Sequence, residues 1–174
     1  MSLSDKAQRI RAVVLDVDGV LTDGSIGYGA GSAEEIKFFN VKDGHAIKLL
    51  QRAGLKVGIL SGRTSAANRR RAEELSMDFV YEGEKDKKEA FSRLLADTGL
   101  TASECLYVGD DVVDIPVMRQ AGVAVAVADA VAEVKECADW QTDLPGGHGA
   151  VREAALWLLK QQQRWDGLMA RYLE

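Results

Sequence analysis

The chain has 174 residues, 47% of them hydrophobic, and a formal charge of −5 from 22 Lys and Arg against 27 Asp and Glu. This length suits one well-buried core, so we expect a single domain over residues 1–174. The acidic balance argues against a nucleic-acid partner, and no run approaches the roughly 20 apolar residues that a membrane span requires. The N-terminus lacks the apolar core of a signal peptide, and the only two cysteines are Cys105 and Cys137, which together favour a cytoplasmic location.

Short β-rich runs alternate with helical patterns along the chain. The predicted strands cover residues 12–17, 55–60, 78–81, 105–109 and 123–127. The predicted helices cover residues 44–51, 64–76 and 86–97, then a turn around Pro116, a short segment before Ala138, and residues 149–164. The strands are continuous apolar runs separated by helix-length connections, so we predict a doubly wound α/β fold with a mostly parallel sheet. Ligands are expected at the carboxyl ends of its strands.

One stretch, DGSIGYGAGSAEEIKFFNVKDG, breaks this alternation with two β-like pieces around a Gly-rich turn. It predicts a β-hairpin at about residues 25–39 that projects from the sheet. The hairpin has too few apolar side chains for a core of its own, so it is expected to pack on another surface. The end of the chain, about residues 146–174, is predicted to form a helix and a tail that finishes on a neighbouring subunit.

Acidic residues follow two of the predicted strands. Asp16 and Asp18 come directly after the apolar run AVVL and flank one residue, so both can leave the sheet edge toward the same crevice. The segment GDDVVD follows the strand CLYV and supplies Asp110, Asp111 and Asp114. Carboxylates this close repel one another unless a hard cation lies between them, and Mg²⁺ suits an all-oxygen site. The sequence therefore predicts a Mg²⁺ site here.

Two further segments lie between the acidic clusters, LSGR after one strand and EGEKDK after another. Ser61 is expected to offer a hydroxyl and backbone N–H donors, and a lysine of the second segment is expected to offer a fixed positive charge. Both suit the oxygens of a phosphate. The four segments together predict a phosphoryl-transfer site in which a carboxylate attacks in line.

These segments resemble the four ordered motifs of the haloacid dehalogenase superfamily of phosphatases, from the first strand through the second acidic cluster. The resemblance implies that Asp16 is the nucleophile and that Asp18 is the general acid and base. It implies that Mg²⁺ is held by the side chain of Asp16, the backbone carbonyl of Asp18 and the side chain of Asp110. Asp111 and Asp114 would support the metal.

The same resemblance assigns the groups that bind the phosphoryl oxygens. They would be Ser61, Gly62 and Lys87. Lys87 falls on the lysine of the family motif, whereas Lys85 and Lys88 do not. Asp114 keeps an alternative role, because it could simply cap the helix near Pro116.

A closer resemblance covers nearly the whole chain. The segments DGSIGYG, FFNVKDG, YEGEKDK, YVGDDVVDIPVM, VAVADA and GGHGAVRE resemble the small capless branch typified by 3-deoxy-D-manno-octulosonate 8-phosphate (KDO 8-phosphate) phosphatase of lipopolysaccharide synthesis. This implies a Rossmann-like core with no cap domain and a small phosphorylated sugar acid as substrate. It also implies a homotetramer whose hairpins form a central β-barrel and whose neighbouring subunits cover the open site.

Two arginines bear on the choice of sugar. By the resemblance, Arg63 and Arg71 occupy positions where arginines are expected for an eight-carbon sugar acid. Relatives that act on nine-carbon sialic-acid-type 9-phosphates tend to carry Glu at the first position, so Arg63 favours KDO 8-phosphate over that alternative. His148 in GGHGA stands where the branch commonly has Arg, which puts the contact of the tail in question.

Two other classes of function are alternatives. A phospho-receiver signalling domain also uses clustered aspartates, Mg²⁺, a hydroxyl and a lysine, but its acceptor Asp would follow the third strand, whereas Asp16 follows the first. A non-catalytic oligomerisation domain would have little reason to retain every one of these carboxylates.

Overall fold

The computed structural model describes residues 1–31 and 34–173. Residues 32 and 33 of the predicted hairpin and residue 174 of the predicted tail lie outside the described residues. The strands are β1 (Ala12–Leu15), β2 (Gly27–Tyr28), β3 (Glu35–Ile36), β4 (Lys56–Leu60), β5 (Phe79–Tyr81), β6 (Cys105–Gly109), β7 (Val123–Ala126) and β8 (Trp140–Gln141). Six of them form one parallel sheet in the order β5-β4-β1-β6-β7-β8, and β2 pairs with β3 in an antiparallel hairpin. The predicted α/β class is therefore confirmed.

The helices are α1 (Leu3–Arg9), α2 (Val41–Arg52), α3 (Ala66–Glu74), α4 (Lys87–Thr98), α5 (Ile115–Met118), α6 (Ala132–Cys137), α7 (Ala150–Gln161) and α8 (Trp165–Leu173). Helix α7 packs on α1 and α2, while α5 packs on α4 and α6. Strands β1, β6 and β7 are buried along their whole length, as expected of a parallel sheet covered on both faces. No described helix is long and apolar enough to cross a membrane.

Several boundaries differ from the sequence prediction by two or three residues, and two short elements were not predicted. Helix α2 begins three residues before Gly44, because the side chain of Asn40 accepts a hydrogen bond from the Lys42 N–H at 2.8 Å and caps it. Helix α1 and the two-residue strand β8 were not predicted, since segments this short carry little periodic signal.

The predicted C-terminal helix and tail form two helices. Helix α7 ends before Gln163, which has a φ of +55°, and α8 then turns back onto the same chain. The Tyr172 hydroxyl accepts a hydrogen bond from Arg52 at 2.5 Å, and its ring lies edge-on to His45. Trp165 packs against the hydrophobic core. A contact of this segment with a neighbouring subunit stays a prediction.

The register of the sheet determines where the functional segments emerge. Leu15 at the end of β1 pairs with Ile59 of β4 and with Val108 of β6. The parallel strands therefore end at nearly the same height, and the residues that follow β1, β4 and β6 leave the sheet at one edge. Asp16 and Ser61 are the first residues beyond their strands.

The loop after β1 is held by a second loop from the C-terminal part of the chain. The Gly147 N–H donates to the Val20 carbonyl at 2.9 Å, and a methyl group at Gly146 would lie 1.7 Å from the Gly19 carbonyl oxygen. This close approach of two backbones explains why the segment GGHG has glycine at position 146, where any larger residue would displace the loop that carries Asp18.

Helix α7, which follows this second loop, takes its cap from another helix. Its N-cap residue, Gly149, has a φ of +111° and provides no side chain, but the buried carboxylate of Asp43 on α2 accepts a hydrogen bond from the Arg152 N–H at 2.7 Å. Burial raises the pKa of Asp43, although this hydrogen bond opposes the effect. Asp43 thus fixes the start of α7 and, with it, the loop that holds Gly146.

We expect opposite effects from adding a methyl group at two glycines. Gly146→Ala should lower the free energy of unfolding by about 1–3 kcal/mol, because its methyl overlaps the Gly19 carbonyl. Gly167→Ala should raise it by about 0.5–1 kcal/mol, because this position is in α8 and has nothing within 4 Å. Urea denaturation measures both changes, and a Gly146→Ala protein as stable as the parent would contradict the tight packing of the two loops.

Candidate active site

A cavity of about 390 Å³ opens at the carboxyl ends of β1, β4 and β6. It is lined by Asp16, Asp18, Ser61, Gly62, Arg63, Glu84, Lys85, Lys87, Asp110, Asp111 and Val113. All predicted site residues other than Asp114 and Arg71 are in this lining. The four sequence segments, which are far apart in the chain, therefore meet in one place.

A buried lysine links the two acidic clusters. Lys87 is the first residue of α4, whose N-cap is Asp86, and its side chain is only 3% exposed. The Lys87 Nζ lies 2.8 Å from Asp16 Oδ1 and 2.7 Å from Asp114 Oδ1. Burial favours the neutral amine, but the two carboxylates outweigh it and raise the pKa of Lys87. Lys87 therefore carries its charge next to Asp16.

Asp114 lies behind the cavity and holds the second acidic loop in place. Its Oδ2 accepts hydrogen bonds from the backbone N–H groups of Asp110 and Asp111 at 2.9 and 3.2 Å. Its Oδ1 accepts a hydrogen bond from the buried Tyr107 hydroxyl at 2.6 Å in addition to the one from Lys87. Burial raises the pKa of Tyr107 well above its usual range, so the hydroxyl keeps its proton. Both carboxylate oxygens of Asp114 are thus engaged by protein donors.

Asp110 lacks such partners. Its Oδ1 is buried without a hydrogen-bond partner in the part of the chain that the structure describes. Burial and the nearby Asp16 and Asp114 carboxylates raise the pKa of Asp110 to about 8. Burial also raises the pKa of Asp16 to about 6, although Lys87 opposes the effect. The carboxyl groups of Asp16 and Asp110 are therefore held close together, and the nearby positive charge is too small to compensate both of them when they are ionised.

This arrangement fits a hard divalent cation. Asp16, Asp110 and Asp114 each present a carboxylate oxygen, and the three oxygens lie within 4.8 Å of one another. Because the oxygens of Asp114 already accept four hydrogen bonds, Asp16 and Asp110 are the pair with acceptor capacity left for a metal. An all-oxygen donor set and a partnerless carboxylate oxygen are the features expected of a Mg²⁺ site.

The Asp18 side chain belongs to a different set of charges. Its Oδ1 accepts a hydrogen bond from Lys37 Nζ at 2.6 Å, and its Oδ2 is 4.0 Å from Arg63 Nε. Arg63 also pairs with Glu35 at the mouth of the cavity, where nearly half of its side chain is exposed. Neither Lys37 nor Glu35 was predicted from the sequence to belong to the site. A single lysine between apolar residues in EIKFF was the available signal.

The predicted phosphate-binding donors need one correction. The backbone N–H of Ser61 donates to the Tyr81 carbonyl at 2.8 Å, because the hydrogen bonding of the sheet continues one residue past β4. That N–H is therefore not available to a ligand. The Ser61 hydroxyl and the Gly62 N–H remain as donors in the cavity lining.

Arg71 lies outside this cavity. Its guanidinium donates to the Asn40 carbonyl at 3.3 Å, pairs with Glu74 at 3.3 Å, and is 5.7 Å from the centre of the Phe39 ring. It lines a larger groove of about 770 Å³ beside α3 and β3. The aspartates of the active-site cavity do not line that groove. Arg63 and Arg71, which the sequence predicted to bind the same sugar, therefore line different cavities within one chain.

The sequence matches a family model and is similar to characterised proteins. Residues 40–122 match the model of the haloacid dehalogenase-like hydrolases. The chain is 42% identical over 161 residues to 3-deoxy-D-manno-octulosonate 8-phosphate phosphatase from Escherichia coli K12, an alignment that covers 92% of this chain and 85% of that protein. The Haemophilus influenzae enzyme of the same name is 41% identical over 160 residues, which is 92% of this chain and 88% of the relative.

Solved structures show the same similarity. The phosphatase of this name from Moraxella catarrhalis, in complex with magnesium, phosphate and KDO, superposes with a TM-score of 0.94 at 36% identity and covers 97% of each chain. The cobalt-bound form of the Haemophilus influenzae enzyme superposes with a TM-score of 0.87 at 41% identity and covers 91% of this chain and 92% of that one.

We expect Asp110→Asn to stabilise the metal-free protein as the pH rises. An unfolded Asp has a pKa of about 3.9, whereas the pKa of Asp110 in the fold is about 8. The stability that the protonated Asp110 side chain contributes is therefore fully present below about pH 4 and is lost as the pH rises through about 8. The thermal midpoint of the variant should exceed that of the parent by a margin that grows over this range.

Magnesium provides the control for this measurement. At pH 8 it should raise the thermal midpoint of the parent and have much less effect on Asp110→Asn, because the variant lacks a ligand. Equal Mg²⁺-induced shifts in the two proteins would contradict a role for Asp110 as a ligand.

Proposed function

Since the chain belongs to the haloacid dehalogenase-like hydrolases, we propose that it is a Mg²⁺-dependent phosphatase that releases inorganic phosphate from KDO 8-phosphate. The observation that carries this function is the meeting of Asp16, Lys87 and Asp110 in one cavity at the strand ends. The similarity to KDO 8-phosphate phosphatases over almost the whole chain supports the choice of substrate.

Asp16 is the proposed nucleophile. A carboxylate oxygen of Asp16 attacks phosphorus, and the bond between phosphorus and the sugar oxygen breaks as Asp18 gives that oxygen a proton. Water then attacks the aspartyl phosphate and gives a proton back to Asp18, while the bond between phosphorus and Asp16 breaks. The sum is one sugar alcohol and one phosphate from one ester and one water, and both carboxylates return to their starting states.

The other residues of the cavity stabilise the charge on the phosphoryl group. Lys87 supplies a fixed positive charge 2.8 Å from the attacking carboxylate, and the Ser61 hydroxyl and Gly62 N–H supply donors. Well-placed donors of this kind stabilise a transition state by roughly 3–4 kcal/mol each. Asp16, the backbone carbonyl of Asp18 and Asp110 would hold Mg²⁺, which adds positive charge at the phosphate oxygens. Asp111 and Asp114 support the loop that carries Asp110.

Arg63 is the proposed contact for the sugar acid. It lies at the mouth of the cavity beside Asp18, so its exposed guanidinium can pair with a substrate carboxylate beyond the phosphoryl site. A nine-carbon sugar 9-phosphate is the alternative substrate. Arg71 could contribute only from a neighbouring chain, because within one chain it faces a different groove.

The chain is also proposed to assemble as a homotetramer through its hairpin. Large apolar side chains on and beside the hairpin are exposed on a single chain, namely Tyr28, Ile36, Phe38 and Val41. Several exposed large apolar side chains on one short segment are typical of an interface between subunits. A cytoplasmic location is proposed as well, since Cys105 and Cys137 are both free thiols.

Phosphate release tests the enzymatic function. KDO 8-phosphate, a sialic-acid-type 9-phosphate and simple sugar phosphates are compared with Mg²⁺ and with EDTA. We expect a strong preference for KDO 8-phosphate that EDTA abolishes, and we expect Asp16→Asn to lower kcat by at least about 10³-fold while remaining folded. Preference for the nine-carbon substrate would contradict the choice of sugar alone. Absence of any turnover, together with stable labelling by acetyl phosphate, would favour a phospho-receiver.

Sedimentation at micromolar concentration tests the assembly. The parent should sediment as a tetramer, and Phe38→Ser should shift it toward smaller species, because Phe38 is 79% exposed on one chain. Val131→Ser removes an exposed apolar side chain away from the hairpin and should leave the tetramer intact. A monomeric parent would contradict the proposal.

A further inference from the structure

Lys37, directly after β3 of the hairpin, has an ammonium group that is completely buried. Its Nζ lies 2.6 Å from Asp18 Oδ1 and 3.6 Å from Glu35 Oε2. Both contacts are with carboxylates, and the first is with the residue that transfers protons in the proposed reaction. The hairpin therefore reaches the active site through Lys37, which contacts Asp18, and through Glu35, which pairs with Arg63.

Burying the ammonium group of a lysine at this position costs free energy. Removing an ammonium group from water is unfavourable by several kcal/mol unless nearby charges compensate for it, and an apolar side chain of similar size would avoid that cost altogether. Glu35 and Asp18 provide the compensation, and Arg63 in turn pairs with Glu35. Two carboxylates and two positively charged side chains thus form one network, and Asp18 is part of it.

The network treats the two oxygens of Asp18 differently. Oδ1 accepts the hydrogen bond from Lys37, whereas Oδ2 lies 4.0 Å from Arg63 Nε, beyond hydrogen-bond distance. Lys37 therefore restricts the orientation of the carboxylate through Oδ1, while Oδ2 accepts no hydrogen bond from the described residues. No such constraint comes from Lys87, whose ion pairs are with Asp16 and Asp114.

We propose that Lys37 is a positioning residue, which orients Asp18 so that Oδ2 gives a proton to the leaving sugar oxygen and later takes one from water. This inference rests on the proposed phosphatase function. It makes the hairpin a part of the catalytic site in each chain, in addition to its proposed part in assembly.

The test compares leaving groups in Lys37→Met. The sugar alcohol of KDO 8-phosphate leaves only when it receives a proton, whereas nitrophenolate leaves p-nitrophenyl phosphate without one. We expect kcat/KM for KDO 8-phosphate to fall by about 10²-fold, the usual contribution of a general acid, and kcat/KM for p-nitrophenyl phosphate to fall only a few-fold. Because kcat/KM reports the transfer of the phosphoryl group to Asp16, the later hydrolysis step does not obscure the difference.

The ratio of the two kcat/KM values separates positioning from structural damage. A partly misfolded preparation loses the same fraction of activity toward both substrates, so the ratio stays constant. Lys6→Met is the matched control. Lys6 pairs with Asp139 at a distance of 2.5 Å, and neither residue lines the cavity, so this variant should leave both kcat/KM values at the parent level.

Each outcome is decisive. A fall confined mainly to KDO 8-phosphate supports the positioning role of Lys37. Equal losses toward both substrates, or values for Lys37→Met within a few-fold of the parent, overturn it while the parent remains an active phosphatase. A parent that hydrolyses neither phosphate in the presence of Mg²⁺ overturns the proposed function, and the role of Lys37 with it.

Discussion

The site depends on one buried ammonium group, that of Lys87, held between Asp16 and Asp114. Taking three charged groups out of water is tolerable only because they are paired and hydrogen-bonded together. Through Asp114 the same contact reaches the Asp110 and Asp111 backbone, so the loop after β6 is positioned relative to the residue after β1. The strands bring these segments to one edge of the sheet, and Lys87 sets their spacing there.

Charge is distributed unevenly over the carboxylates of the cavity. Lys87 compensates Asp16 and Asp114, and Lys37 compensates Asp18 and Glu35. Among the described residues, Asp110 has no comparable partner and therefore keeps an acceptor for a metal. The protein thus uses fixed cations where a carboxylate has to stay in place, and leaves the Asp110 carboxylate as an acceptor where an exchangeable cation is required.

The site residues that directly follow strands could be predicted from the sequence. Those whose contacts form only in the folded chain could not. Asp16, Asp18 and Asp110 were predictable because parallel strands end together and because the spacing of the motifs is distinctive. Lys37 and Tyr107 were not predictable, since each lies in an apolar run and meets its partner only in the folded chain. The α/β class was likewise predictable from periodicity, whereas the start of α2 depended on a side-chain cap and the role of Gly146 on contact between two loops.

The contact between Gly146 and the loop after β1 also orders events during synthesis. Residues near positions 19–22 emerge from the ribosome more than a hundred residues before the glycines that pack against them. Domains made of such distant contacts complete their packing late, because the intervening chain has to be made and its loop closed first. In a nascent chain that has already formed β1, the loop after Asp18 therefore lacks the glycines that pack against it, and it reaches its final packing only as the last helices are added.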